Sequence, residues 1–436
     1  MNNFKFGLTL LGARSVYNLI KILRVGEGTS FVGKMILKFS PNFVAEASGF
    51  VEGAKIAVSG TNGKTTTCGV VYHVLEQCGK KIVANRKGAN MLTGIANAFA
   101  LTLKSGKTVD NCVLECDEAY LERIQKGVKA DFLLITNLFP DQVDRYSDVG
   151  VTRQKIQAGI DAHSAQVLLN ADNPDVAVLK SDKKPLFYGV KFVDDRTGLG
   201  EGKLEDENFV CPVCSKKLNY SKRFYAQQGH FSCECGFSRP QPEFEADIVL
   251  EKEFSIIKLG EEEFKFPFAG LFNAYNALAA IALLKTVGAK EIKSSLLTYK
   301  TAFGRSEVRE IDGKKVLIQL IKNPAGASQV LKSVDVNSKI LIAINNNIAD
   351  GTDISWLWDT DFSRLKNVTQ KIVVSGLKAE DVLKRLVDAG VSKSNIEVVK
   401  EISTAIDSVL TMAENNITIL PSYTALLEID KLLKKF

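Results

Sequence analysis

Glycine, lysine and threonine residues in the segment SGTNGKTTT, residues 59–67, have the spacing of a phosphate-binding loop. The segment follows a short β-rich run and opens a helical run, so its backbone N–H groups can wrap around a phosphate. Lys64 could reach the β- and γ-phosphates of a nucleotide, and the Thr65 hydroxyl could bind Mg²⁺. Val58 stands where the general pattern has glycine, which makes this a variant loop, and a plain glycine-rich turn is the alternative. We predict that a nucleotide is bound by seven residues: Gly60, Thr61, Asn62, Gly63, Lys64, Thr65 and Thr66.

Four of the eight cysteines have the spacing of a metal site. Cys211 and Cys214 form CPVC, and Cys233 and Cys235 form CEC, with a hairpin-sized stretch between the two pairs. Four thiolates suit a tetrahedral Zn²⁺ with every position filled by protein, which is a structural site. The CEC pair is tighter than the usual knuckle, so free thiols are the alternative. The other cysteines are scattered, which favours a reducing cytoplasm over a disulfide framework.

The elements that must position these residues alternate between strand and helix. From about residue 55, short runs rich in valine, isoleucine and leucine alternate with longer helical runs. This alternation predicts an α/β fold with a mostly parallel sheet covered on both faces. A second series of strands and helices follows Arg305 and predicts a separate Rossmann-like α/β domain.

The predicted domain organisation has four parts. We expect a basic amphipathic extension over residues 1–53, packed on a nucleotide-binding domain over residues 54–300. The periodicity fails around the cysteine cluster, so we expect a small Cys₄ zinc-ribbon insertion at 205–245. The C-terminal α/β domain should span residues 301–436.

Composition excludes some functions. The chain has 436 residues and a formal net charge of +6, which is too small for this length to suggest general nucleic-acid binding. No apolar run approaches the length of a membrane span. Residues 1–40 carry six Lys or Arg against Glu27 alone. A helix packed on its own domain is favoured here over a helix lying on a membrane surface.

The phosphate loop resembles the nucleotide loop of Mur ligases and folylpolyglutamate synthases, enzymes that use ATP and Mg²⁺ to phosphorylate a carboxylate. Further segments resemble this family in the same order. Glu115 in VLEC matches a Mg²⁺-binding glutamate, and TNLFPDQVDRYSD (136–148) resembles a stretch beside the phosphates. Asn273 and Asn276 in GLFNAYNALAA match the adenine side, and Arg305 in FGRSE matches a linker arginine that reaches the phosphates. The resemblance therefore implies catalytic roles for Lys64, Glu115 and Arg305.

Differences from the amino-acid-adding Mur ligases indicate which members of the family this sequence resembles most. Gln142 stands where those enzymes usually carry histidine, which puts a second Mg²⁺ in doubt, and no carbamylated lysine is identified. The segments 85–91, 322–329 and 345–359, together with the cysteine cluster, resemble the MurT family of MurT/GatD lipid II isoglutaminyl synthases. That resemblance implies that the α-carboxylate of D-glutamate in the lipid II stem peptide is phosphorylated and then amidated to D-isoglutamine.

The ammonia needs a separate source. Glutamine hydrolysis uses a cysteine activated by a base, yet His73, His163 and His230 are not recognisable as such a base. The resemblance implies a GatD-like glutamine amidotransferase partner, contacted by the C-terminal domain, whose Cys/His pair is completed by Asp353. Asp350 competes for that role, and both aspartates could instead be loop carboxylates that cap a helix.

Two other functions stay open at this point. One is a stand-alone ligase that adds an amino acid to a nucleotide-linked peptide or to folate. The other is a non-catalytic, nucleotide-gated zinc scaffold. We expect a cytoplasmic protein and leave open a peripheral contact with the inner face of the membrane.

Overall fold

The structure is a computed structural model. It describes residues 3–23, 29–86, 89–104, 106–139, 149–197, 209–300, 304–411 and 415–434. Gln142 and most of the segment 136–148 lie outside the described residues, as do positions 87 and 88 of the segment 85–91.

The first 300 residues form helices and strands in alternation. The helices are α1 (Asn3–Leu23), α2 (Thr29–Phe39), α3 (Phe43–Ser48), α4 (Lys64–Gln77), α5 (Leu92–Thr102), α6 (Leu121–Val128), α7 (Val149–Asp161), α8 (Pro174–Ala177), α9 (Leu271–Val287) and α10 (Ile292–Leu297). The strands are β1 (Lys55–Ser59), β2 (Ile82–Ala84), β3 (Asn111–Glu115), β4 (Phe132–Ile135), β5 (Gln166–Asn170), β6 (Leu186–Asp195), β7 (Asn219–Tyr225), β8 (Gln228–Ser232), β9 (Phe244–Leu250), β10 (Ser255–Leu259) and β11 (Glu262–Phe266).

Nine of these strands form one sheet in the order β11-β10-β9-β6-β5-β4-β1-β3-β2. The strands from β2 to β9 in this order run parallel, and β10 and β11 complete the edge as antiparallel strands. Successive residues of β1 point to opposite faces, so that Ala57 packs in one hydrophobic core and Ile56 and Val58 pack in the other. The predicted α/β class with a mostly parallel sheet is confirmed.

The N-terminal helices pack on one face of this sheet. Phe6, Leu10 and Ala13 of α1 are buried in the same core as residues of α5. Where α2 crosses α5, a Cβ on Gly33 would meet the Thr93 carbonyl oxygen at 1.8 Å, so only glycine permits the close approach. Among helices built from described residues, none combines the length and the apolar character needed to cross a membrane.

A two-stranded antiparallel hairpin of β7 and β8 stands outside the large sheet. Its base lies beside the four clustered cysteines, and a small hydrophobic core that includes Leu218 and Phe231 forms around them. Its tip turns at residues 226–227 and packs against the central unit.

The remaining residues form a second α/β unit. Its elements are β12 (Arg305–Ile311), β13 (Lys314–Gln319), α11 (Pro324–Lys332), β14 (Lys339–Ala343), β15 (Ile372–Ser375), α12 (Ala379–Asp388), β16 (Ile396–Val398), α13 (Ile402–Thr411), β17 (Asn416–Pro421) and α14 (Tyr423–Leu433), with 3₁₀ helices at Ser355–Leu357, Ser363–Asn367 and Lys393–Asn395. The sheet order is β12-β13-β17-β14-β15-β16, and only the β12–β13 pair is antiparallel. The Rossmann-like pattern predicted after Arg305 is therefore present.

Candidate active site

The phosphate loop joins the carboxyl end of β1 to the first residue of α4. Gly60 and Gly63 have φ angles of 125° and 85°, in the region that favours glycine. A Cβ on Gly60 would lie 2.3 Å from Thr136 Oγ1, and one on Gly63 would lie 2.0 Å from Asn276 Oδ1. Both glycines are thus required by backbone conformation and by close neighbours. The α4 N-terminus opens directly onto the loop, as predicted.

The end of the neighbouring strand β4 holds the loop in shape. The Thr61 N–H donates to the Asn137 carbonyl oxygen at 2.8 Å, and the Asn62 N–H donates to Asn137 Oδ1 at 2.9 Å. Thr136 Oγ1 donates to the Asn62 carbonyl oxygen at 2.7 Å. Threonine and asparagine at the start of segment 136–148 therefore act as supports of the phosphate loop.

Lys64 lies within the loop and pairs with a carboxylate that the sequence analysis missed. Its Nζ donates to the carbonyl oxygens of Gly60 and Thr61, and lies 3.2 Å from both carboxylate oxygens of Glu118. Lys64 and Glu118 are 9% and 7% exposed. Burial raises the pKa of the Glu118 carboxyl, and the Lys64 ammonium opposes that rise. Glu118 lies three residues after Glu115, beyond the end of the strand. No periodicity in the sequence could therefore have predicted its role.

Thr65 and Glu115 meet at the mouth of the loop. Thr65 Oγ1 donates to Glu115 Oε2 at 2.9 Å. Asn85 fixes the backbone of Glu115 from both sides, accepting from its N–H at 2.9 Å and donating to its carbonyl oxygen at 2.8 Å. A hydroxyl and a carboxylate are hard oxygen ligands, so this pair fits Mg²⁺. The structure thus brings together the two residues predicted to bind magnesium.

A cleft opens between the phosphate loop, α9 and the C-terminal unit. The two predicted adenine-side asparagines, Asn273 and Asn276, line it, and each is less than a tenth exposed. Arg305 begins β12, in register with Gln319, which also lines the cleft. Nothing is described of the Arg305 side chain, so its contact with phosphates stays a prediction.

The phosphate loop also touches the C-terminal unit through a pair of side-chain amides. Asn62 Nδ2 donates to Asn323 Oδ1 at 3.3 Å, and Asn323 Nδ2 donates to Asn62 Oδ1 at 3.0 Å. Asn323 Oδ1 also accepts from the Gly326 N–H at 2.9 Å and so caps α11. Asn323 therefore both caps a helix of the C-terminal unit and contacts the phosphate loop.

The four clustered cysteines converge as predicted. Their Sγ atoms all lie within 4.8 Å of one another. The Cys211–Cys235 and Cys214–Cys233 sulfur separations are 3.7 and 3.5 Å. A tetrahedral ion with Zn–S bonds of about 2.3 Å would separate its sulfurs by about 3.8 Å. The donor set therefore fits Zn²⁺.

The two candidate aspartates lie away from the loop, between β14 and a 3₁₀ helix. Asp350 is 8% exposed, and its carboxylate accepts from the backbone N–H groups of Asn347 and Thr424 at 3.1 and 2.7 Å. Asp353 is less buried, and accepts from the N–H and Oγ of Ser355, the first residue of the 3₁₀ helix, at 2.8 and 2.7 Å. Both carboxylates thus make the local contacts expected if they are structural carboxylates of a loop.

A phosphate loop on a mostly parallel sheet faces a second α/β unit across a cleft, and the Mur ligase middle domain model matches residues 58–284. The chain is therefore a Mur ligase. The fold is similar to that of a pseudomurein peptide ligase type C from Methanothermus fervidus, with a TM-score of 0.69 and 22% identity, covering 88% of this chain and 79% of that one. Mur ligases are ATP-dependent and use Mg²⁺.

Within the Mur ligases, the chain belongs to the MurT family. The MurT ligase C-terminal model matches residues 320–426. The chain is 33% identical to the lipid II isoglutaminyl synthase (glutamine-hydrolyzing) subunit MurT of Staphylococcus aureus strain COL, over 92% of this chain and 91% of that protein. It is 32% identical to the subunit of that name from Streptococcus pneumoniae strain ATCC BAA-255 / R6, over 99% and 97%. The predicted family is confirmed, which disfavours a stand-alone folate or amino-acid ligase.

Proposed function

We propose that this chain is the ATP-using ligase subunit of a lipid II isoglutaminyl synthase. The α-carboxylate of D-glutamate in the stem peptide attacks the γ-phosphorus of ATP, which gives an acyl phosphate and ADP. Ammonia then attacks the acyl carbon, the bond from that carbon to the phosphate oxygen breaks, and phosphate leaves with this oxygen and takes up the proton that nitrogen loses. Phosphorylation is needed because a carboxylate resists amine attack until one oxygen becomes a good leaving group.

The observation that carries this proposal is the arrangement of Lys64, Thr65 and Glu115 at one phosphate loop in a member of the MurT family. Lys64 would bind the γ-phosphoryl group and stabilise the charge that develops during transfer. Thr65 and Glu115 would hold Mg²⁺, which neutralises phosphate charge when bound. Asn273, Asn276 and Arg305 would complete the nucleotide contacts.

The test uses the chain purified with a GatD-like partner, ATP, glutamine and lipid II, with the product followed by mass spectrometry. Lys64→Met should abolish D-isoglutamine formation. Lys80→Met is the matched control, because Lys80 is exposed and its Nζ lies 3.7 Å from Asp110 Oδ1. Turnover that survives Lys64→Met would support the scaffold alternative, and a wild-type complex that binds no ATP would overturn the proposal.

For the glutaminase, we favour Asp353 as the carboxylate that orients a histidine of the GatD-like partner. Both oxygens of Asp350 are used inside the fold, since Oδ1 accepts from Thr424 N and Oδ2 accepts from Asn347 N and Thr424 Oγ1. Asp353 is more accessible than Asp350, and its carboxylate accepts from the N–H and Oγ of Ser355, two residues later. The C-terminal α/β domain, residues 301–436, would then form the partner surface.

The proposed domain division keeps the other predicted boundaries: an extension at 1–53, a nucleotide-binding domain at 54–300 and a Zn²⁺ ribbon at 205–245. A structural Zn²⁺ would be held by Cys211, Cys214, Cys233 and Cys235, whose sulfur separations fit tetrahedral coordination.

A membrane contact through the first two helices would bring the chain to its lipid-linked substrate. Leu8, Leu11, Leu19 and Ile22 are all more than half exposed and recur on one face of α1. Phe31 and Phe39 of α2 are also exposed, near the exposed Lys34 and Lys38. An apolar face flanked by lysines suits an anionic bilayer surface.

Vesicle flotation tests this contact. Replacing Leu11 and Ile22 by serine should reduce binding to vesicles with anionic lipid. Val308→Ser, at an exposed valine in the C-terminal unit, should leave that binding unchanged.

A further inference from the structure

The Cys₄ insertion reaches the nucleotide cleft with the tip of its hairpin. Tyr225, the last residue of β7, lines the same cleft as Gly63, Asn273 and Asn276. Its side chain is 4% exposed. The ring lies 5.8 Å from the Phe139 ring, and 5.6 Å from the Tyr275 ring at an angle of 75°. Tyr225 of the insertion therefore forms part of the wall of this cleft.

Hydrogen bonds join the hairpin tip to the segment that supports the phosphate loop. Gln227 Nε2 donates to the Leu138 carbonyl oxygen at 2.7 Å, and Gln228 Oε1 accepts from Asn170 Nδ2 at 2.6 Å. Leu138 directly follows Asn137, which accepts the N–H groups of the loop. The hairpin tip and the phosphate loop thus both contact one short segment, Asn137 and Leu138.

A buried carboxylate connects the insertion to α9 as well. Asp172 is fully buried and accepts from Arg239 Nε at 2.6 Å and from the Tyr275 hydroxyl at 2.8 Å. Tyr275 lies on α9 between the two cleft asparagines. The backbone N–H of Gly229, just past the hairpin tip, donates to the Asp172 carbonyl oxygen at 2.9 Å. The hairpin is consequently held at both ends against the elements that form the cleft.

We propose that this hairpin tip forms a wall of the nucleotide pocket and that Tyr225 contacts the nucleoside of ATP. The phosphate loop recognises phosphates through backbone N–H groups and Lys64, which any polyphosphate can satisfy. An aromatic ring instead offers an apolar surface to a purine base. Tyr225 would thereby favour adenosine triphosphate over a bare polyphosphate. The inference rests on the proposed function only in taking ATP as the ligand.

The test compares magnesium-ATP with magnesium-tripolyphosphate by isothermal titration of the full chain. Tyr225→Leu should weaken ATP binding by about tenfold, the scale of one lost base–aromatic contact, while tripolyphosphate affinity stays within about twofold. Tyr225→Phe should bind ATP nearly as well as the wild type. Phe224→Leu, one residue earlier on the opposite face of β7, is the matched control. Equal weakening for both ligands, or no weakening for either, would overturn the proposal.

Hydrogen exchange on the wild-type chain gives a readout that needs no variant. ATP should slow exchange at the backbone amides of residues 225–229, and tripolyphosphate should not. Identical protection by both ligands would contradict a nucleoside contact at the hairpin tip. A chain that binds neither ligand would instead refute the proposed ligase function, so the two failures are distinguishable.

Discussion

The Nζ atom of Lys64 lies 3.2 Å from each carboxylate oxygen of Glu118, and both side chains are buried. Phosphates that enter the loop must compete with Glu118 for this ammonium group. The pair also avoids an isolated buried charge, which would be costly. Glu118 therefore affects how readily the Lys64 ammonium group binds the phosphates of ATP.

Glu118→Gln should tighten the binding of magnesium-ATP. Removing one negative charge near the phosphates relieves a repulsion on the order of 1 kcal/mol, which is about a fivefold decrease in Kd. Titration calorimetry measures it, and Glu122→Gln, at an exposed glutamate paired with Lys126, is the control. Weaker binding by Glu118→Gln would mean that the carboxylate helps to hold Mg²⁺ instead.

The Asn62–Asn323 amide pair should couple the phosphate loop to the C-terminal unit during turnover. Asn62→Ala and Asn323→Ser each remove the pair, and serine at 323 retains a side-chain cap for α11. The two single variants should lower the rate of amide formation. The double variant should be little worse than either one, a coupling of about 1 kcal/mol. Additive losses would show that the pair does not act as a unit.

Asp353→Asn and Asp350→Asn should have different effects. The first should lower glutamine hydrolysis by the complex at least about tenfold and leave the melting temperature unchanged, because Asp353 would orient the partner's base. The second should lower the melting temperature, because Asp350 joins the loop to the start of α14 through Thr424. A reversed pattern would assign the glutaminase role to Asp350.

Cys233→Ser should abolish zinc binding, measured as metal content by mass spectrometry. The wild-type chain should carry about one zinc per molecule, since four thiolates complete the coordination. Cys78→Ser is the control, because Cys78 lies outside the cluster and its Sγ donates to the Lys290 carbonyl oxygen. Zinc retained by Cys233→Ser would remove this residue from the ligand set.

Arg239→Met should destabilise the central unit, because it leaves the fully buried Asp172 without its cationic partner. Breaking a buried ion pair costs about 3–5 kcal/mol, and we expect the melting temperature to fall by about 5–10 °C. Arg196→Met removes an exposed ion pair with Asp194 and should change the melting temperature by about 1 °C or less. Equal effects of both variants would argue against a structural role for the Arg239–Asp172 pair.

The sequence alone could predict features whose signal is local. Three features depend on spacing within a few residues: the phosphate loop, the two cysteine pairs, and the alternation of strands and helices. Each of them is present in the structure as expected. Glu115 was predicted because VLEC, at the end of a buried strand, matches a Mur ligase motif. The family followed from the order of these motifs.

Tertiary structure decided which distant residues meet at the site. Glu118, Asn323 and Tyr225 come from three distant segments of the chain. Asn323 and Tyr225 line the cleft, and Glu118 pairs with Lys64 of the phosphate loop, because sheet order and the hairpin insertion place them there. Burial also distinguished Asp350 from Asp353, two aspartates of one motif. Spacing along the chain determines local conformation and hydrophobic pattern, whereas contacts between remote side chains depend on packing, which no short segment encodes by itself.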